Sequence, residues 1–166
     1  MRYGTRTTLK RRWTPRGHRP QCRVRIAYEF GYLYCALCPF SGDLFCLLLP
    51  SMKKECFEIF INEFEKHTAG EDGDTLLILE GAGCHQADTI REGSRLVLEK
   101  LPAACPELNP AERFFQELRK ELANQVFETL GAVEEKIGQL LENYWSEPNL
   151  IMRLTSFPYI NTSNSI

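Results

Sequence analysis

The chain predicts an α/β fold, and three observations carry that expectation. Two apolar, aromatic-rich runs separated by a turn read as a β-hairpin. Two later, shorter apolar runs read as parallel strands. Apolar residues recurring every three to four positions mark helices between and after them. Hairpin, helix, strand, helix, strand and closing helices is an α/β order. With 166 residues, the chain is long enough for one domain with a core of its own. Its 43% apolar and 25% charged content is that of an ordinary globular protein.

Each element has its own signal. Residues 26–38 (Ile26 to Cys38) predict an internal strand, Pro39, Ser41, Gly42 and Asp43 a turn, and Leu44 to Leu49 a second strand stopped by Pro50. Ser51 is placed to cap a helix with the stripe Met52, Cys56, Phe60 and Phe64, widened by Phe57 and Ile61. The acidic run Gly70 to Asp74 breaks the chain. Thr75 to Leu79 is too short for a helix and apolar enough for a buried parallel strand. A short helix over 86–92 and a strand from Arg95 to Leu98 follow. Asn109-Pro110 opens a helix expected to bury Phe115, Leu118, Leu122 and Val126. A last helix carries Leu130, Val133, Ile137, Leu140, Leu141 and Tyr144, weakened by Gly131 and Gly138 at roughly 1 kcal/mol each. These elements make one domain over 1–154, and 155–166 reads as a polar, frayed tail.

Composition narrows the function classes. No run of about 18 uncharged apolar residues occurs, so no spanning helix is expected, and no apolar segment follows the early arginines closely enough for a signal peptide. Seven scattered cysteines, an odd number, fit reduced thiols and a cytoplasmic chain. Cys35-x-x-Cys38 lacks the second pair that a zinc ribbon needs and lies in an apolar run, which favours a strand. The net charge of −2 conceals an asymmetry. Nine of the 20 Lys and Arg fall within residues 1–25, where there is no acid, while all 22 acids lie beyond. Such a block is either a solvated face or a polyanion contact. Arg11, Arg12, Trp13 and Arg16, which set cations beside an aromatic ring, lean towards phosphate contact.

Two carboxylates stand in positions where chemistry is common. Glu80 ends the Thr75–Leu79 strand and precedes Gly81-Ala82-Gly83-Cys84-His85. It is a metal ligand, an acid–base group, or simply the first polar residue as the strand surfaces. Glu112 lies three residues after Asn109, an arrangement that a capping box explains by itself. A carboxylate on a first helical turn is also rigidly held, and two such groups together suit a hard divalent cation.

The segments Arg12-Trp13-Thr14-Pro15-Arg16-Gly17, Leu79-Glu80-Gly81-Ala82-Gly83-Cys84-His85 and Pro106-Glu107-Leu108-Asn109-Pro110-Ala111-Glu112-Arg113 are similar, in order and spacing, to the transposases of mariner-like bacterial insertion sequences. The match covers nearly the whole chain, and its last block is specific. The resemblance implies a ribonuclease-H-like fold, a mixed sheet flanked by helices, and an Asp-Asp-Glu triad that binds Mg2+ or Mn2+ for DNA cleavage and strand transfer. Glu112 then takes the place of the third acid, Glu80 that of the second, and His85 that of a histidine near the metal. DNA is the implied partner, with self or full-length transposase as a further one and no membrane.

The chain departs from that pattern in three places. The family's first aspartate would fall about two residues ahead of Met1, so the first central strand is expected to be largely missing and the fold poorly stable. Glu80 stands where the family has aspartate, and its extra methylene adds about 1.5 Å to a site that needs placement within roughly 0.5 Å. Cys84 and Cys105 replace the usual Trp and Ser. The expectation is an impaired catalytic domain, with a non-catalytic DNA- or transposase-binding remnant as the alternative.

Overall fold

Strand β2 (Phe30–Leu37) organises the fold, because its alternate side chains feed two separate cores. Leu33 joins one cluster, with Tyr3, Leu44, Phe114, Phe115 and Leu118. Tyr34 and Ala36 join the other, with Phe57, Phe60, Ile61 and Leu79. The structure, a computed structural model, describes residues 1–70, 73–80, 94–102 and 105–157.

β2 pairs antiparallel with β1 (Arg2–Gly4) on one side and β3 (Leu44–Leu49) on the other. Of the first strand, expected to be largely missing, the three residues of β1 are present and paired to β2. Its Tyr3 ring packs directly over Gly31, where any side chain would collide with it. The turn after β2 needs Gly42 at φ +76°, and Cys38 N–H donates to Asp43 O at 2.9 Å. Cys35 of β2 stands opposite Cys46 of β3, their sulfurs 2.7 Å apart. Both cysteines of the Cys35-x-x-Cys38 pair thus belong to the strand and its turn.

One face of this sheet is covered by α1 (Lys54–Thr68), whose Cys56, Phe57, Phe60, Ile61 and Phe64 are buried. The helix starts later than the sequence suggests. Lys53 occupies the cap position without a side-chain bond, Ser51 Oγ lies 3.2 Å from Cys56 Sγ, and Met52 is exposed. β4 (Thr75–Leu79) and β5 (Leu96–Lys100) form a parallel pair that packs Leu77, Leu79, Leu96 and Leu98 into the same core. β4 is not buried on both faces, because Leu76 and Ile78 are exposed. The expected helix over 86–92 lies outside the described residues.

The other face carries α2 (Pro110–Leu122), α3 (Leu130–Ser146) and α4 (Asn149–Thr155). Phe114 is wholly buried there, edge-on to Tyr144 at 5.1 Å between ring centres. Val126, expected on this helix, lies beyond its end and is exposed. α4 was not expected. Thr155, assigned to a polar tail, is its last residue and is buried, with Oγ1 donating to Ile151 O. The strand expected from Ile26 begins only at Phe30, and Ile26 and Tyr28 are exposed. They belong to a long excursion between β1 and β2, whose backbone bonds outside the ladder.

Candidate functional site

Glu80 is the first residue beyond β4, at the carboxyl end of a parallel strand. Ligands gather at such ends in α/β sheets. Across from it, the single 3-10 turn Pro106–Leu108 delivers Asn109 to the start of α2. Asn109 Oδ1 accepts from Ala111 N–H at 2.9 Å, capping the helix, and its Nδ2 donates to Glu80 Oε1 at 2.8 Å. One side chain therefore starts α2 and fastens it to the end of β4.

Glu112 follows on the first turn of α2. The reciprocal bond of a capping box is not made, because Asn109 N–H donates to Pro106 O instead. The Glu112 carboxylate is left for other partners: Arg119, two turns along, donates to its Oε2 at 3.3 Å. The Glu112 side chain is 28% exposed, so this pair is reachable from water.

Both carboxylates act electrostatically on the head of β1. The Met1 amine donates to Leu33 O at 2.6 Å. Burial lowers its pKa; Cys35 raises it, Arg119 lowers it, and Glu112 and Glu80 raise it. One nitrogen atom thus lies within electrostatic reach of both acids and of Arg119. Among the described residues no cluster of three His, Cys, Asp or Glu is present. The pair suits a hard divalent cation through carboxylate oxygens, although Arg119 already balances part of its charge. His85 lies outside the described residues, as does Cys84.

The basic residues form a distinct feature. Residues 5–29 leave the sheet as a two-legged arm, held at its base by Thr5 N–H to Glu29 O and Thr7 N–H to Arg25 O, both 3.1 Å. The tip turns at Pro15–His18, with Gly17 at φ +84°. Asn124, just past α2, takes the left-handed conformation at φ +61° and fastens the outgoing leg. Its N–H donates to Thr8 O at 2.8 Å, its Oδ1 accepts from Lys10 N–H at 3.0 Å, and its O accepts from Arg12 Nη2 at 3.1 Å. Arg25 pairs with Glu128 on the returning leg. Arg12 is thus partly an anchor, while Arg11, Trp13 and Arg16 are exposed. The sequence signals found the Asn109 cap and the cations, but neither the second role of Asn109, which reads there only as a cap, nor Asn124.

Residues 1–134 match the family model described as DDE superfamily endonuclease. The uncharacterized protein y4pE/y4sA of Sinorhizobium fredii is 30% identical over 99 residues, which are 59% of this chain and 73% of that protein. Among solved structures, the Mos1 strand transfer complex is similar with a TM-score of 0.67 at 16% identity, covering 94% of this chain and 48% of that one. The Mos1 mariner paired end complex with Mn is similar with a TM-score of 0.62 at 19% identity, covering 94% and 52%. The chain thus spans about half the length of the solved proteins it matches. At these identities the likeness shows the fold, and the expected ribonuclease-H-like class is borne out. Among the described residues, no helix is long and apolar enough to cross a membrane.

Proposed function

The chain belongs to the DDE superfamily endonuclease family, and from that premise we propose that it is a transposase-derived domain that holds DNA and a divalent cation, with its cutting activity impaired. The observation that supports this reading is the Asn109 side chain, which caps the helix that bears Glu112 and donates to Glu80. Glu80 and Glu112 would hold Mg2+ or Mn2+, and the similar Mos1 mariner paired end complex with Mn supports the manganese choice. When bound, such a cation stabilises charge on the phosphoryl oxygens during in-line displacement. The chain's own residues do the rest. Asn109 fixes the angle of Glu80, Arg119 steadies Glu112, and Arg11, Arg12, Trp13 and Arg16 hold the DNA backbone on the arm. By resemblance, His85 completes the polar surroundings.

The impairment follows from chemistry at the second position. Glutamate reaches further than aspartate by one methylene, about 1.5 Å, in a site that needs placement within roughly 0.5 Å. The same observation favours a second reading, in which the domain binds DNA or an intact transposase without cutting.

A plasmid-nicking assay with Mg2+ or Mn2+, beside a Mn2+-binding titration, tests both levels. The expected result is measurable Mn2+ binding, weakened at least tenfold in Glu112→Gln, with little nicking. Robust nicking abolished by Glu112→Ala would overturn the impairment. Mn2+ binding indifferent to both Glu80→Gln and Glu112→Gln would overturn the site.

A further inference from the structure

The arm between β1 and β2 holds more than a generic positive charge. Between its legs lies a cleft of about 200 Å³, lined by Leu9, Lys10, Arg11, Arg12, Gln21 and Asn124 among others. No acid lines it, and no acid precedes Glu29 in the chain. Beside it, Trp13 is fully exposed at 103% of its reference area, the most exposed large apolar side chain described. The indole is not on a loose end. Its neighbour Arg12 is bonded to Asn124 O, and Lys10 N–H to Asn124 Oδ1, so the leg that presents it is tied to the end of α2.

We propose that this arm is a binding site for DNA with unpaired bases, in which the cleft takes a backbone phosphate and Trp13 stacks on an adjacent base. The proposal rests on the reading of the arm as a DNA contact and deepens it.

Three physical points select this partner. Phosphate recognition needs only cations, and the cleft supplies them from Lys10 and Arg11, whose side chains have no other described contact. Cations alone give no reason for a bare indole, which exposes a large apolar ring to water with nothing packed on it. A base offers a flat π-face that replaces that water, and guanidinium groups beside the ring reinforce the stack. In an intact duplex both faces of each internal base are already covered by neighbours. A ring can stack only where the strand is single, frayed or opened. The cleft is also small, about 200 Å³, on the scale of a phosphodiester group and far short of a double helix.

The pinned leg matters for affinity. With the backbone of the leg already tied to Asn124, binding has only the indole's own torsions to order, so more of the stacking energy reaches the measured constant.

The test measures binding of the full chain by fluorescence anisotropy to a labelled single-stranded DNA, the same sequence as a duplex, and the same sequence as single-stranded RNA. The DNA single strand is expected to bind more tightly than the duplex. Trp13→Ala should weaken single-strand binding by about tenfold, within the range for loss of one base–aromatic stack, and change duplex binding less than twofold. Trp13→Phe should recover most of the loss, and the salt slope should stay the same in both variants. Arg11→Ala should instead weaken both DNA forms and reduce the salt slope by about one.

If Arg11→Ala acts on both forms but Trp13→Ala acts on neither, stacking is wrong while the arm remains a DNA contact. If neither substitution matters, the arm is not a DNA contact and the underlying reading falls with it. Tighter binding to the RNA strand would overturn DNA as the partner. A shift of the sedimenting mass by Trp13→Ala, without a change in DNA binding, would show that the indole packs on a second copy of the chain.

Discussion

Replacing Asn109 with alanine removes two bonds at once, and their separate contributions can be worked out from the geometry. The first is the cap from Oδ1 to Ala111 N–H at 2.9 Å, worth about 1 kcal/mol. The second is the donation from Nδ2 to the Glu80 carboxylate at 2.8 Å. A bond to a charged acceptor contributes about 1.5–3 kcal/mol, and the partly exposed setting reduces it towards the lower end of that range. Asn109→Ala should therefore cost about 2–3 kcal/mol, or roughly 5–10 °C in Tm for a domain of this size. Asn109→Asp separates the terms. Aspartate keeps the cap, but it sets a carboxylate against Glu80, so repulsion replaces attraction. One of the two acids then has a raised pKa in the folded state. Stability is kept below the unfolded carboxylate range, near about 4, and is lost as pH rises through the raised value. The deficit of Asn109→Asp should accordingly shrink as the solution is acidified, whereas that of Asn109→Ala should not shrink by this route. Urea unfolding of the three proteins from mildly acid to neutral pH reads both effects. An Asn109→Ala protein within about 0.5 kcal/mol of the parent, or an Asn109→Asp deficit independent of pH, would refute the account of this residue.

Other expectations follow from the packing. Phe114→Ala empties a wholly buried site beside Phe115 and Tyr144 and should cost about 3–5 kcal/mol in chemical unfolding. Tyr3 donates to Glu134 at 2.8 Å, and burial, then that bond, raise its pKa. Its contribution is complete below about pH 10 and is lost as pH rises through the raised value, so Tyr3→Phe should flatten the alkaline fall in Tm relative to the parent. Cys35 and Cys46 face each other three steps along the ladder from the hydrogen-bonded Cys38–Asp43 position, an odd number that puts them out of its phase. That makes them a non-hydrogen-bonded pair, with Cα atoms about 4.5 Å apart, within reach of a disulfide. Glutathione disulfide should link them, releasing two reduced glutathiones and leaving a Cys35–Cys46 peptide detectable by mass spectrometry. Burial raises the Cys35 thiol pKa, so the linkage should form faster in mild alkali.

The parts of the fold that the sequence made legible were those where local pattern and tertiary packing agree. β3 and β4 lie where their apolar runs predict, and α2 and α3 start at the caps Asn109 and Thr129. The misses have separate physical causes. Ile26 and Tyr28 have strand-forming side chains, but the adjoining backbone bonds across the base of the arm, so they hang in water. Ser51 precedes α1, yet its hydroxyl lies by Cys56 Sγ and the helix starts without a side-chain cap. α4 has seven residues, too few for a periodic signal. The bond from Asn109 to Glu80 was not legible, because nothing local in residues 75–80 says which later helix will stand beside Glu80.

The geometry also separates two explanations of Glu112 that the sequence left entangled. Had its carboxylate reached back to the backbone of Asn109, helix capping would account for it in full. That bond is absent: the Asn109 side chain does the capping, and Pro106 O satisfies the Asn109 N–H. Glu112 is therefore dispensable for starting α2, although it stands on the helix's first turn. Under the proposed function, this partly exposed carboxylate and Glu80, which is bonded to the Asn109 cap, are the groups that would meet a hard cation. It follows that Glu112→Gln should leave α2 and the urea midpoint nearly unchanged while removing Mn2+ binding. A substitution that destabilised the fold by more than about 1 kcal/mol would return Glu112 to a structural role.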